Sequence, residues 1–195
     1  MQRHSTLEEE FEIRQSRDRR EKRLIAQRAA GLIDDGMSVF LTDGTTAYAL
    51  AQCLVHRHLT VITSALNIAQ LLVGSAGIGV IVIGGRLRAT SFDTTGPLSV
   101  DAIRSLHADV AVISADGITP GGGVRDFSLD DAASARAMSE SSASTLVLAS
   151  PGKIGFEARV RVLDWPEIDT LITARLPTAF AEALAGRGVQ VVLVA

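Results

Sequence analysis

The chain has 195 residues, of which 47% are hydrophobic and 4% aromatic, and its formal net charge is −3. That length suffices for one sizeable core of Ala, Val, Ile and Leu, with room for a small edge subdomain. No apolar run approaches the ~18 residues of a membrane span, the charged N-terminus lacks a signal-peptide core, and the lone Cys53 excludes an internal disulfide framework, so a cytoplasmic protein is expected.

Charge is unevenly spread, with eight Lys/Arg against six Asp/Glu in residues 1–28 and eleven against sixteen in the remainder. A body this acidic is ill suited to wrapping a phosphate backbone. Residues 1–22 read as a charged linker helix, with Glu10–Arg14 and Asp18–Lys22 spaced for i,i+4 pairs, and residues 23–195 as the domain proper. Leu24, Ile25, Ala29, Leu32 and Ile33 recur at helical spacing, and Gly36 is placed as a C-cap. Short β-branched runs follow at 38–42, 59–63, 79–83, 109–114, 144–149, 168–172 and 189–194. Ala/Leu-rich segments alternate with them at about 46–54, 65–73, 97–106, 128–141 and 177–186. Runs such as Val80–Ile83 and Val110–Ile113 lack polar alternation, as strands buried on both faces do. The expected fold is α/β, a mostly parallel sheet flanked by helices.

Ligands of such sheets settle at the carboxyl ends of the strands. The first strand delivers Asp43-Gly44-Thr45-Thr46 to a helix start, where unpartnered N–H groups and the macrodipole favour an anion. Gly44 lets backbone approach a ligand and the two threonines can donate hydroxyl hydrogen bonds; the same residues also read as a capped connection. The second strand ends in Thr63-Ser64, the third in Gly84-Gly85, the fourth in Asp116-Gly117 and the fifth in Ser150-Pro151-Gly152-Lys153. Each is compatible with plain turn chemistry. Together they suit a small, polar, phosphorylated ligand, with Lys153 as a point charge and Asp116 as an acceptor for a sugar hydroxyl. Arg125 follows Gly121-Gly122-Gly123, which reads as a lid or as a simple hairpin, and Arg136 reads as a ligand contact or a surface residue. Arg86 and Arg88 read as surface or oligomer contacts, His56 and His58 as loop residues, and Cys53 as core. No metal or cofactor is expected.

In this order, the motifs resemble the effector-sensing domain of DeoR-type bacterial transcriptional regulators, over nearly the whole chain. The resemblance is carried by Gly44-Thr45-Thr46, Leu66-Asn67-Ile68-Ala69 after Thr63, Gly84-Gly85 and Gly96-Pro97-Leu98. It continues through Ala115-Asp116-Gly117-Ile118, Arg136-Ala137-Met138, Lys153-Ile154-Gly155 and the segment Ile168–Thr173. It implies the fold shared with ribose-5-phosphate isomerase, glucosamine-6-phosphate deaminase and CoA-transferases. The function implied is non-catalytic sensing of a phosphorylated sugar or related small anion by a homo-oligomer, a dimer or tetramer. DNA would be contacted only through a winged helix-turn-helix that is missing here, so the chain is either a fragment of a longer regulator or a free-standing sensor. Several positions depart from the family pattern. Thr42-Asp43 stands for Asp-Ser, Ser64-Ala65 for Asn-Ser, Arg125-Asp126 for Thr-Thr, Ser128 for Asn, Ala135 for Lys and Ser150 for Asp. The phosphate loops are kept while the groups expected at sugar hydroxyls have changed. Two other classes stay open: an isomerase-like enzyme using Asp116 with Asp130 or Asp131 and Lys153, and an oligomerisation module without a ligand.

Overall fold

The computed structural model describes residues 11–195, so Glu10 and its expected pairing with Arg14 lie outside the described residues. The first elements are α1 (Phe11–Ser16), α2 (Arg19–Ala30), β1 (Ser38–Leu41), α3 (Thr45–Leu54), β2 (Leu59–Thr63), α4 (Leu66–Leu72) and β3 (Ile78–Val82). An antiparallel ribbon of β4 (Arg86–Arg88) and β5 (Asp93–Thr95) leads to α5 (Pro97–Arg104) and β6 (Val110–Ser114). A hairpin of β7 (Gly117–Thr119) and β8 (Gly123–Asp126) precedes α6 (Leu129–Glu140) and β9 (Thr145–Ala149). Then follow β10 (Val160–Leu163), β11 (Thr170–Thr173), α7 (Thr178–Leu184) and β12 (Gln190–Leu193).

The seven β-branched runs make one seven-stranded sheet in the order β12-β11-β9-β6-β1-β2-β3, with every pairing parallel. Successive residues of a strand face opposite ways, and in β1 Val39 and Leu41 pack on one side while Phe40 packs on the other. One face is covered by α2, α3 and α4, whose Ile25, Leu50, Leu54 and Ile68 join Val61 and Val112 in a buried cluster. The other is covered by Ile103 of α5, Met138 of α6 and Phe180 of α7, together with Trp165, against Ile113, Val147 and Leu171. Each such side chain contributes about 1.5–3 kcal/mol by leaving water. β10, β8 and β7 form a separate three-stranded antiparallel sheet, whose Ile118, Val124, Val162 and Leu163 join the same buried cluster as Ile113 and Val147.

Three local expectations need correction. The run containing Val80–Val82 is an edge strand rather than a doubly covered one, with Ile81 41% and Val82 47% exposed, because apolarity marks a strand without telling its place in the order. Gly36 does not cap a helix. α2 ends at Ala30, and Gly36 takes a left-handed turn (φ 91°) whose N–H donates to the His58 carbonyl. The charged leader is not one continuous helix: among the described residues it breaks at Arg17-Asp18, where Asp18 is left-handed (φ 48°, ψ 35°), and it packs on the body. Phe11 is buried edge-on against Tyr48 and Phe92, at ring-centroid distances of 5.8 and 6.3 Å. Lys22 is buried too, its ammonium donating to the Arg14 carbonyl rather than pairing along the helix with Asp18.

Candidate functional site

The carboxyl ends of β9, β6 and β1, three neighbouring strands at the centre of the sheet, open into a cavity of about 530 Å³. From β1 the chain departs toward β2, while β6 lies on the other side, so the loops after these two strands diverge and leave a crevice between them. Its walls come from five places. Arg14, Arg17, Asp18 and Lys22 belong to the α1–α2 arm, and Asp43, Gly44, Thr45 and Thr46 to the β1–α3 turn. Ser114, Ala115 and Asp116 come from the end of β6, and Asp126, Phe127 and Asp131 from the junction of β8 and α6. Ser150, Gly152, Lys153 and Phe156 come from the loop after β9.

The β1–α3 turn is shaped by close packing. Thr42 ties the end of β1 to β6, its hydroxyl accepting from the Ser114 N–H at 2.9 Å. Gly44 then takes φ 112°, ψ 158°, and a Cβ there would stand 2.7 Å from the Ser114 Oγ. Only glycine occupies that backbone region without strain. Gly44 is also the N-cap of α3, which has no side-chain cap, so the first N–H groups of that ten-residue helix carry the positive end of its dipole to the cavity.

The cations of the wall gather around Asp116 and Asp18, while a second group of acids lies beyond Asp43. Lys153 Nζ donates to Asp116 Oδ1 at 2.9 Å, and Arg14 Nη1 stands 4.0 Å from the same oxygen. Burial lowers the Lys22 ammonium to a pKa of about 8; Asp18 opposes the shift, and the neighbouring cations Lys153, Arg14 and Arg17 add to it. Beyond Asp43 lies an acidic cluster. Arg88 of β4 contacts Asp93 at 3.1 Å, Asp43 at 4.0 Å and Asp131 in a direct ion pair. Ser91 donates to Asp93 at 2.6 Å and Thr95 to Asp131 at 3.2 Å. Burial, and then the charges of Asp93, Asp131 and Asp126, push the Asp43 carboxyl well above the usual carboxylate range. Among the described residues, no group of three or more His, Cys, Asp or Glu is arranged to hold a metal ion.

Of the residues singled out in the sequence, Asp43, Gly44, Thr45, Thr46, Asp116 and Lys153 meet at this cavity. The other six lie elsewhere. Thr63 is fully buried, donating to the Leu41 carbonyl at 2.6 Å and accepting from the Ala65 N–H at 3.0 Å, and so locks the end of β2. Ser64 is buried behind Asp43, with its carbonyl accepting from the Thr94 N–H. Gly85 makes room for Ser99 and Thr95, and Gly117 for the Phe156 backbone, so both are packing glycines. Arg125 pairs with Glu157 at 3.6 Å, and of the two readings of its triple-glycine neighbour the structure shows the hairpin, the β7–β8 turn held where Gly123 (φ 64°) abuts the Leu163 carbonyl. Arg136 donates to the carbonyls of Val162 (3.1 Å) and Arg161 (2.6 Å), fastening β10 to α6. Sequence reasoning missed the arm and Arg88. The signal for the arm was Phe11, the aromatic residue of a leader rich in charge, and for Arg88 an arginine flanking a short turn with no solvent-facing helix to carry it.

The chain matches the DeoR C terminal sensor domain over residues 17–175. It is 31% identical over 176 residues to the HTH-type transcriptional repressor CsqR of Escherichia coli K12, covering 90% of this chain and 67% of that protein. It is 33% identical over 174 residues to the HTH-type transcriptional repressor GlcR of Bacillus subtilis, covering 89% and 67%. It is 27% identical over 191 residues to the glycerol-3-phosphate regulon repressor of Escherichia coli K12, covering 97% and 76%. The chain thus spans about two thirds to three quarters of the length of these relatives. Among solved structures it resembles the translation initiation factor eIF-2B of Pyrococcus horikoshii, with a TM-score of 0.53, 19% identity and coverage of 80% of this chain and 62% of that one. It also resembles ribose 5 phosphate isomerase A of Neisseria gonorrhoeae, with a TM-score of 0.51, 13% identity and coverage of 71% and 53%. At such identities these likenesses establish the fold alone, whereas the three sequence relatives named above are described as repressors. With its parallel sheet, its strand-end cavity and a match across most of its length, the chain belongs to the DeoR family and carries its C-terminal sensor domain.

Proposed function

We propose that the cavity takes a phosphorylated sugar or a related small anion, and that its occupancy is relayed along the α1–α2 arm to a DNA-binding winged helix-turn-helix. The observation that carries this reading is the convergence of the α3 N-terminus, Lys153 and Asp116 on one cavity of about 530 Å³, within the size range of small-molecule sites. The phosphate sits at the N–H groups of Thr45 and Thr46 and near Lys153, and the hydroxyls face Asp116 and Asp126. Two relatives are described in terms that agree with this chemistry, as a glycerol-3-phosphate regulon repressor and a putative aga operon transcriptional repressor. Binding moves an equilibrium only through unequal affinity for two arrangements, and the arm is the element that touches both ligand and body. A cytoplasmic homo-oligomer accompanies the reading, since operators read by helix-turn-helix proteins are usually two-fold.

The test is isothermal calorimetry against a panel of sugar phosphates, with turnover followed by NMR. Saturable binding without turnover is expected. Turnover that depends on Asp116 overturns the sensor reading in favour of an isomerase, and indifference to every phosphorylated compound overturns it in favour of a ligand-free oligomerisation module.

A further inference from the structure

The arm contributes more to the cavity than a passive boundary. Asp18 occupies the N-cap position of α2, where an Asp side chain ordinarily accepts from the first turn of its own helix. It makes no such cap. Its carboxylate instead accepts from the Gly152 N–H at 3.0 Å, beside Lys153 on the loop after β9. Four residues earlier, Arg14 reaches Asp116 on the loop after β6. The arm is therefore moored to the same two strand-end loops that carry Lys153 and Asp116. Lys22 joins its two helices, since it lies in α2 and its ammonium donates to the Arg14 carbonyl of α1.

Among the described residues, three of the four cationic side chains lining the cavity belong to this arm: Arg14, Arg17 and Lys22, with Lys153 as the fourth. Lys22 is buried, and although Asp18 favours its charge, both that burial and the three neighbouring cations disfavour it. An anion entering here relieves that repulsion, and it does so only while the arm is docked.

Resting on the phosphate-binding reading above, we infer that Lys22 and Arg17 are ligand-contacting residues, and that an anionic guest clamps the α1–α2 arm onto the domain. The anion bridges the arm to Lys153 and the β1–α3 turn, so guest and docked arm stabilise each other reciprocally. The phosphate of the ligand is thus the group that carries the signal, and the remainder of the molecule sets its identity at the acidic side.

Hydrogen exchange with inorganic phosphate as the probe tests this on the whole chain, in the wild type and in Lys22→Met and Arg17→Gln. Methionine keeps the apolar stem that Lys22 buries, and Arg17→Gln removes a charge from the helix break, so one variant serves if the other misfolds. In the wild type, saturating phosphate should slow exchange at residues 11–22 as well as at the Gly44–Thr46 amides. Each variant should bind phosphate about tenfold more weakly and lose protection of the arm while keeping it at Gly44–Thr46. Protection of Gly44–Thr46 with unchanged or faster exchange in residues 11–22 overturns the clamp and leaves the phosphate site standing. Unchanged affinity in both variants also overturns it. No protection at either place, together with no binding by the sugar-phosphate panel, overturns the phosphate site and the clamp with it.

Discussion

Gly44→Ala perturbs the β1–α3 turn at its tightest point, and the structure separates two penalties. At φ 112°, ψ 158° the backbone lies in a region that is essentially glycine-only, and an alanine there costs about 1–3 kcal/mol in strain. The new Cβ would also stand 2.7 Å from the Ser114 Oγ and 3.0 Å from its Cβ, an overpacking worth about 1–3 kcal/mol. The sum is about 4 kcal/mol, which for a domain of this size lowers Tm by roughly 8–16 °C. Gly36→Ala is the matched control. Gly36 also has positive φ (91°), but a Cβ there meets nothing within 4 Å, so strain alone applies. Thermal unfolding followed by circular dichroism should rank wild type, Gly36→Ala and Gly44→Ala in falling order, and adding Ser114→Ala to Gly44→Ala should recover part of the steric share. Gly44→Ala within about 2 °C of wild type would refute the argument that this turn needs glycine.

Two further outcomes follow from the charges. Lys153→Ala removes a cation from the cavity while Arg14 still faces Asp116, so phosphate affinity should fall about tenfold or more with a Tm within a few degrees of wild type; unchanged affinity in calorimetry removes Lys153 from the site. The Lys22 ammonium titrates at about 8 when folded against 10.5 for a freely solvated lysine, so the unfolded chain binds more protons between those values. Its burial therefore costs stability fully below about pH 8, and that cost fades as pH rises toward 10.5. Stability relative to Lys22→Met should rise across that window, and phosphate binding at about pH 8 should take up protons, seen as calorimetric heats that track the buffer's ionisation enthalpy. Equal pH profiles for the two proteins would show that Lys22 is not held in this environment.

The main sheet was legible because all seven of its strands are apolar runs of four or five residues, long enough for composition to register. The hairpins were not. Arg86–Arg88, Asp93–Thr95 and Gly117–Thr119 are three-residue strands with mixed polarity, too short to show a period of two. The lining of the cavity was legible where it is built on backbone, as at Gly44–Thr46, since glycine and hydroxyl residues between a strand and a helix mark such a turn directly. It was misread where a long side chain chooses its own direction. Arg136 turns toward carbonyls of the small sheet and Arg125 toward Glu157 in the loop before β10, whereas Arg88, which reads as surface, turns inward to three carboxylates. The arm was misread because a lysine with an apolar stem looks the same in sequence whether its head reaches water or a cavity.

The loops bearing Asp116 and Lys153 are stapled behind the cavity, where Ile118 pairs with Ile154 in a parallel bridge and the Gly155 N–H donates to the Ile118 carbonyl at 2.8 Å. Neither loop can be remodelled without dragging the other along. Grafting a new guest preference onto this scaffold therefore requires exchanging residues 115–119 and 150–156 as a single cassette; a one-loop transplant would break the seam and misplace both headgroups at once.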